Sequence, residues 1–190
     1  MCEQAAGSEP PSVDAVEAGG LTARIVSAGP AIAVAVGVAW AFVSALALAG
    51  PNRVPVNVLD WVAVVSFSAA LAILAPGMIL LAELGGQTRA VRGGCLVVAI
   101  GAIVAAIANF IEDGLGVAAF GDVFAAGLAG ILVGLPFLAI VLAVRPPRWL
   151  AAVAVATFAG MFASSQGGGG FLVLAAWLIV AVALRRKTLT

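Results

Sequence analysis

The chain has 190 residues, of which 64% are hydrophobic and only 9% charged, with nine basic side chains against nine acidic ones. Soluble domains run to about 45–50% apolar and about 25% charged, so this chain has too few polar residues to cover a water-exposed surface, and too much hydrophobicity for disorder over most of its length. A net charge of zero gives no bias toward nucleic acid.

Taken from the N-terminus, residues 1–23 carry Glu3, Glu9, Asp14 and Glu17, no basic residue, and the Gly19–Gly20 pair. A short, acidic, disordered tail is expected there. It lacks the positive start of a secretory signal. The rest of the chain, residues 24–187, reads as one transmembrane domain, with 188–190 as its C-terminal end. A spanning helix needs about 20 mainly apolar residues. Six such runs are predicted, at 30–50, 61–82, 93–111, 117–144, 149–165 and 168–184. None alternates polar and apolar residues as a barrel strand would. The predicted fold is therefore all-α, a polytopic six-helix transmembrane bundle.

Basic residues set the expected orientation. With an even number of spans, Arg24, Arg89, Arg92, Arg145, Arg148, Arg185, Arg186 and Lys187 share one side, and only Arg53 falls on the other. Basic residues in short loops stay in the cytoplasm. Both termini are thus expected to be cytoplasmic. The abundance of Ala and of Arg over Lys suits a GC-rich bacterial genome, so the expected location is the cell membrane, in a bacterium the inner membrane. Trp61 and Trp149 fall at span ends, where interfacial Trp sits. Trp40 and Trp177 fall mid-span and are expected to pack.

Within the bundle, small residues should bring helices together, since lipid offers no hydrophobic drive between them. Gly130 and Gly134 form a GxxxG in the fourth span, and Ala126 and Gly127 extend that face. Packing inside the chain, self-association and contact with another membrane protein are all open to it. Pro76 and Pro136 should kink the second and fourth helices. The last hairpin is short. Residues 149–184 give about 54 Å of helix at 1.5 Å per residue, against about 60 Å for two crossings. Its turn, Ser164, Ser165, Gln166 and the glycines 167–170, is either a flexible external loop or a turn inside the layer that lines a cavity.

The polar residues that could carry a function gather on the predicted external side. Asn109, Glu112 and Asp113 end the third span at spacing i, i+3, i+4, one helical face. Asp122 lies about two turns into the predicted fourth span. Asp60 opens the second and could serve as its N-cap. A carboxylate near a helix N-terminus is favourable, but Glu112 and Asp113 sit at a C-terminus, where it is not. Water, Arg53, a cation or a proton could compensate. Three readings follow: a solvated turn with Asn109 as a helix cap, an ion pair from Arg53 to Glu112 or Asp113, or an external vestibule that collects a cation. Oxygen ligands of this kind suit Na⁺, Mg²⁺ or Ca²⁺. Ser66, Ser68 and Thr157 are the few hydroxyls that could continue a path inward.

Catalytic signals are absent. The chain has no His and no Tyr, which removes His-based catalysis and His metal ligands. Cys2 and Cys95 are far apart and form no CxxC. There is no Walker loop, nucleophile elbow or HExxH. No cofactor is implied, and the expected partners are the lipid bilayer and other membrane proteins. The expected function is a non-enzymatic structural or accessory membrane component. The alternative is a small transporter or channel for a cation or proton, with the acidic cluster at its mouth.

Overall fold

The computed structural model describes residues 27–50, 55–164 and 168–188. Six helices account for most of them: α1 (Gly29–Ala47), α2 (Val58–Leu84), α3 (Arg89–Asn109), α4 (Gly121–Ala143), α5 (Trp149–Ser164) and α6 (Gly169–Thr188). A π turn (Phe110–Gly114) and a 3₁₀ turn (Ala118–Phe120) join α3 to α4. There is no strand among the described residues. The tail, Arg24, Arg53, Cys2 and the segment 165–167 lie outside the described residues.

Each helix coincides with one predicted run, and local chemistry explains the shifted ends. α2 starts before its apolar run because Asn57 caps it: Asn57 Oδ1 accepts from Asp60 N at 3.0 Å, and Asp60 Oδ2 accepts from Asn57 N at 3.2 Å. This is a reciprocal capping box. α3 starts at Arg89 because Thr88 Oγ1 accepts from Val91 N at 3.4 Å. Pro76 and Pro136 both lie within continuous helices. Between α2 and α3 the chain turns sharply through Gly86 and Gln87, both in the left-handed region at φ +87° and +53°.

Five helices are long and apolar enough to cross a membrane. α5 is shorter, at 16 residues, or about 24 Å. Large apolar side chains face outward on every helix, among them Val38, Val65, Ile100, Ile140, Val155 and Ile179. In water such a surface would aggregate; in lipid it is the correct solvent. By length and composition this is a membrane-embedded protein.

Consecutive helices pack side by side, and α1 packs against α6, so the bundle closes into a ring. The seams are antiparallel. Along α3 and α4, Gly94 lies against Leu138, Gly101 against Gly127, and Gly134 against Val98. Along α1 and α6, Gly29 lies against Leu184 and Gly37 against Leu174. Chain reversal therefore sorts the polar residues to two ends. Arg89, Arg92, Arg145, Arg148, Arg185 and Arg186 collect at one, all of them exposed. Asp60, Glu112, Asp113 and Asp122 collect at the other. We call these the arginine end and the carboxylate end.

Small residues make the seams. At the α3–α4 crossing the backbones touch: a Cβ on Gly101 would stand 2.6 Å from the Gly127 carbonyl oxygen, and one on Gly127 would stand 2.6 Å from Ala105 N. The predicted glycine face is thus used inside the chain; Gly134 packs on the Val98 side chain, whereas backbone meets backbone at Gly127. Gly130 is only half-buried, and Ala126 is exposed and does not extend the face. Trp40 and Trp177 are buried, as their mid-span positions predicted, at 1% and 0% exposure. Cys95 is a buried packing residue of α3.

The glycine run before α6 is no simple loop. Gly169 and Gly170 lie inside the helix and are buried. Gly160 of α5 faces Gly169, where a Cβ on Gly160 would stand 2.6 Å from the Gly169 carbonyl oxygen. Gly170 rests on the Trp40 carbonyl of α1, and its N–H donates to Ser44 Oγ at 2.7 Å. Trp40 is seven residues, about 10 Å, from the end of α1 at Ala47. The start of α6 is consequently recessed below the carboxylate end of α1. Gly169 and Gly170 thus let three backbones meet.

Candidate functional site

The sequence singled out Asn109, Glu112, Asp113 and Asp122 as one cluster. In the structure Asn109 turns away from the turn that carries the acids. Asn109 does not cap α3: its side chain is 4% exposed and points to α2, where Nδ2 donates to Ser68 Oγ at 3.0 Å. The reason is the π turn that follows. It carries the helical chain past Asn109, whose backbone needs no side-chain cap. Glu112 turns toward the next helix. Its Oε1 lies 2.9 Å from where a Cβ on Gly121 would stand, so the carboxylate rests on the first residue of α4. The positive end of the α4 dipole thus offsets the unfavourable C-terminal position of Glu112, a partner not considered in the sequence. Asp122 is exposed in the first turn of α4. It does not lie two turns deep, because 117–120 belongs to a turn rather than to the helix. Asp113 is half-buried in the π turn. Arg53, its proposed ion-pair partner, lies outside the described residues.

Among the described residues, no group of three or more Cys, Asp or Glu side chains could hold a metal ion. At the arginine end, Glu83 accepts from Gln87 Nε2, and Gln87 Oε1 accepts from Arg92. That chain joins the end of α2 to the start of α3.

Asp60 is the most buried acid described, at 0% exposure. It is the third residue of α2 and not its N-cap. Oδ2 accepts from Val56 N at 3.0 Å as well as from Asn57 N. Asp60→Ala removes the acceptor for both amides and breaks the capping box. Lost caps cost about 0.5–2 kcal/mol, and because Val56 and Asn57 are exposed, water takes up their released amides. We expect a loss of roughly 1–2 kcal/mol, read as a fall in the unfolding midpoint of the detergent-solubilised chain. Asp60→Asn retains one acceptor oxygen and should lose less than half as much. Equal losses would show that the negative charge, not the hydrogen bonds, is what matters.

Polar groups deeper in the bundle are each used locally. Thr157 Oγ1 donates to Val153 O at 2.8 Å and accepts from Trp177 Nε1 at 3.0 Å. Ser164 Oγ donates to Met161 O at 2.6 Å. Ser44 and Ser68 are engaged as described above. Among the described residues, no hydrogen-bonded ladder of polar side chains connects the two ends.

The interior instead contains an apolar cavity of about 350 Å³ in the carboxylate half of the ring. Its wall includes Trp40 from α1, Phe67 from α2, Phe124 from α4, and Phe158, Phe162 and Ser164 from α5. Trp40 meets Phe67 edge-to-face at 5.9 Å, and Phe67 meets Phe124 at 6.4 Å. Toward the arginine end, Leu74, Met78, Leu138, Leu142 and Leu150 are fully buried and fill the interior. Sequence reasoning missed the cavity because it searched for charge. The available signal was the aromatics in the carboxylate-end halves of four spans, Trp40, Phe67, Phe124, Phe158 and Phe162. No protein-family model, curated protein or solved structure matches the chain.

Proposed function

We propose that this chain is a non-catalytic, six-span structural or accessory component of the cell membrane, in a bacterium the inner membrane, with both termini in the cytoplasm. The observation that carries this reading is the interior. Among the described residues, the buried side-chain polar atoms are hydrogen-bonded apart from one indole N–H, and no ionisable group lines the central cavity. A cation or proton path needs a succession of polar groups or water across the layer, and the fully buried leucines toward the arginine end offer none. Six crossings follow if the short α5 also spans, and its packing against α4 and α6 supports that. The grouping of arginines at one end supports cytoplasmic termini.

Reconstituted in proteoliposomes, the chain should show no cation- or pH-gradient-driven flux above protein-free vesicles. The Glu112→Gln/Asp113→Asn/Asp122→Asn variant should insert and remain monodisperse like the parent. A saturable flux that this variant loses would replace the structural reading with the transporter one.

The orientation has its own test. An impermeant maleimide added to intact spheroplasts should leave Cys2 unlabelled until lysis. Leu115→Cys in a Cys2→Ser background, at a position 61% exposed, should label from outside. Cys95, 3% exposed, should react only after denaturation. Labelling of Cys2 on intact spheroplasts would invert the topology.

A further inference from the structure

We infer that the arginine end carries a binding site for one acidic phospholipid, formed by a lipid-facing groove between α5 and α6 with Arg186 at its head. The groove holds about 430 Å³ and is lined by Trp149 at the start of α5 and by Leu178, Ile179, Val182, Ala183 and Arg186 of α6. Its shape follows from helix periodicity. The α6 members recur at spacing i, i+1, i+4, i+5 and i+8, which is one face of a helix. That face is apolar from Leu178 to Ala183 and basic at Arg186. Between Leu178 and Arg186 it rises about 12 Å at 1.5 Å per residue. An alkyl chain laid along it therefore meets hydrocarbon first and a guanidinium last.

Exposure and charge together select the occupant. Leu178, Ile179 and Val182 are 42%, 58% and 51% exposed, so this face is left to the hydrocarbon of the bilayer. Arg186, at the end of the apolar stripe, is exposed as well. A guanidinium presents five N–H donors in a planar fork that matches phosphate, so it can grip a phosphate and still keep a contact within the chain. Arg145 and Arg148 stand exposed in the loop that leads to Trp149, which makes the mouth of the groove positive. Among the described residues the carboxylate at this end is Glu83, on α2, and it accepts from Gln87 across the α2–α3 turn.

An acidic phospholipid meets both demands. Its acyl chain covers Leu178, Ile179 and Val182, its phosphodiester sits on Arg186, and the Trp149 indole flanks it at the headgroup level, where interfacial Trp belongs. Basic pockets between membrane helices hold such headgroups. A zwitterionic lipid brings the same phosphate but adds an ammonium that the arginines repel, and a soluble phosphate lacks the chain that the apolar face takes. The neighbouring Arg185 heads a wider depression whose other lining residues all lie between 27 and 38. No apolar residue of α6 walls that depression, whereas the α5–α6 groove joins apolar walls from two helices to one arginine. The inference goes beyond the structural role proposed above. It rests on the chain being embedded in lipid and not on which leaflet the arginine end occupies.

The test titrates the full chain, in detergent micelles, with phosphatidylglycerol or phosphatidylcholine of matched acyl chains, and counts bound lipid by native mass spectrometry. The parent should hold one phosphatidylglycerol saturably, about fivefold more tightly than phosphatidylcholine, the contribution of one basic residue at a membrane surface. Arg186→Gln should remove that preference and leave phosphatidylcholine binding unchanged. Val182→Trp fills the groove and should weaken both lipids; Ile179→Trp is the second filling variant should Val182→Trp not fold. Arg89→Gln, at the α2–α3 turn, removes an equal charge outside the groove and should bind like the parent. Glycerol phosphate, which has the headgroup charge without the chains, should not compete. Equal affinity of the parent for the two lipids, a preference that survives Arg186→Gln, an equal loss in Arg89→Gln, unchanged binding in the filling variants, or competition by glycerol phosphate would each overturn the proposal.

Discussion

Gly170→Ala is expected to cost more stability than any other single-methyl addition in this chain. A Cβ at that position falls on the backbone carbonyl of Trp40, with Ser44 Oγ 2.6 Å away. Backbone cannot rotate aside as a side chain can, so α6 must retreat from α1. Retreat also breaks the Gly170 N–H bond to Ser44 and leaves two buried polar groups unpaired. Overpacking costs about 1–3 kcal/mol, and the stranded pair adds on the order of 1 kcal/mol. For a chain of this length each kcal/mol moves the midpoint by about 2–4 °C, so a fall of roughly 5–15 °C in detergent is expected. Gly168→Ala is the control. It would meet nothing within 4 Å and should stay within about 0.5 kcal/mol of the parent. Similar midpoints for the two variants would mean that α1 and α6 do not meet as described.

Gly127→Ala is expected to part the α3–α4 seam. Its methyl would stand 2.6 Å from Ala105 N, 2.8 Å from Gly101 O and 3.0 Å from Ala105 Cα. All three are backbone atoms, so the cost of about 1–3 kcal/mol cannot be relieved by a rotamer change. Gly101→Ala meets the same crossing from the other side, 2.6 Å from Gly127 O. The two should therefore be strongly non-additive: once either methyl has separated the helices, the second enters at little further cost. Gly93→Ala, with open space around it, should be neutral. Additive losses at Gly101 and Gly127, measured as unfolding midpoints, would place the two glycines in separate environments.

The contrast between these glycines and the acids shows where sequence was informative. Span positions were legible because burial in lipid demands long apolar runs, and no run here competes with another. The burial of Trp40 and Trp177 was legible for the same reason, since a mid-span indole in this chain has no interface to reach. Which glycine lets the two backbones touch was not legible. Gly127, Gly130 and Gly134 share one face of α4, and only the register against α3 selects Gly127. Asn109 was misread as a cap because a π turn cannot be seen in the residue pattern. The N-terminus of α4 was not among the compensating groups considered for Glu112 because it is a tertiary neighbour, folded back over it.

By itself the sequence determined that this protein is helical, where its helices lie, and that its arginines and most of its described carboxylates segregate to opposite ends. These follow from local quantities: segment length, apolar content, and the reversal of direction at each loop. Tertiary structure alone decided that the ring closes through α1 and α6, that the start of α6 is recessed, and that the space left inside is aromatic and uncharged. The reason is that helix packing in an apolar solvent depends on surface fit between backbones. That fit belongs to pairs of helices, and no single segment encodes it.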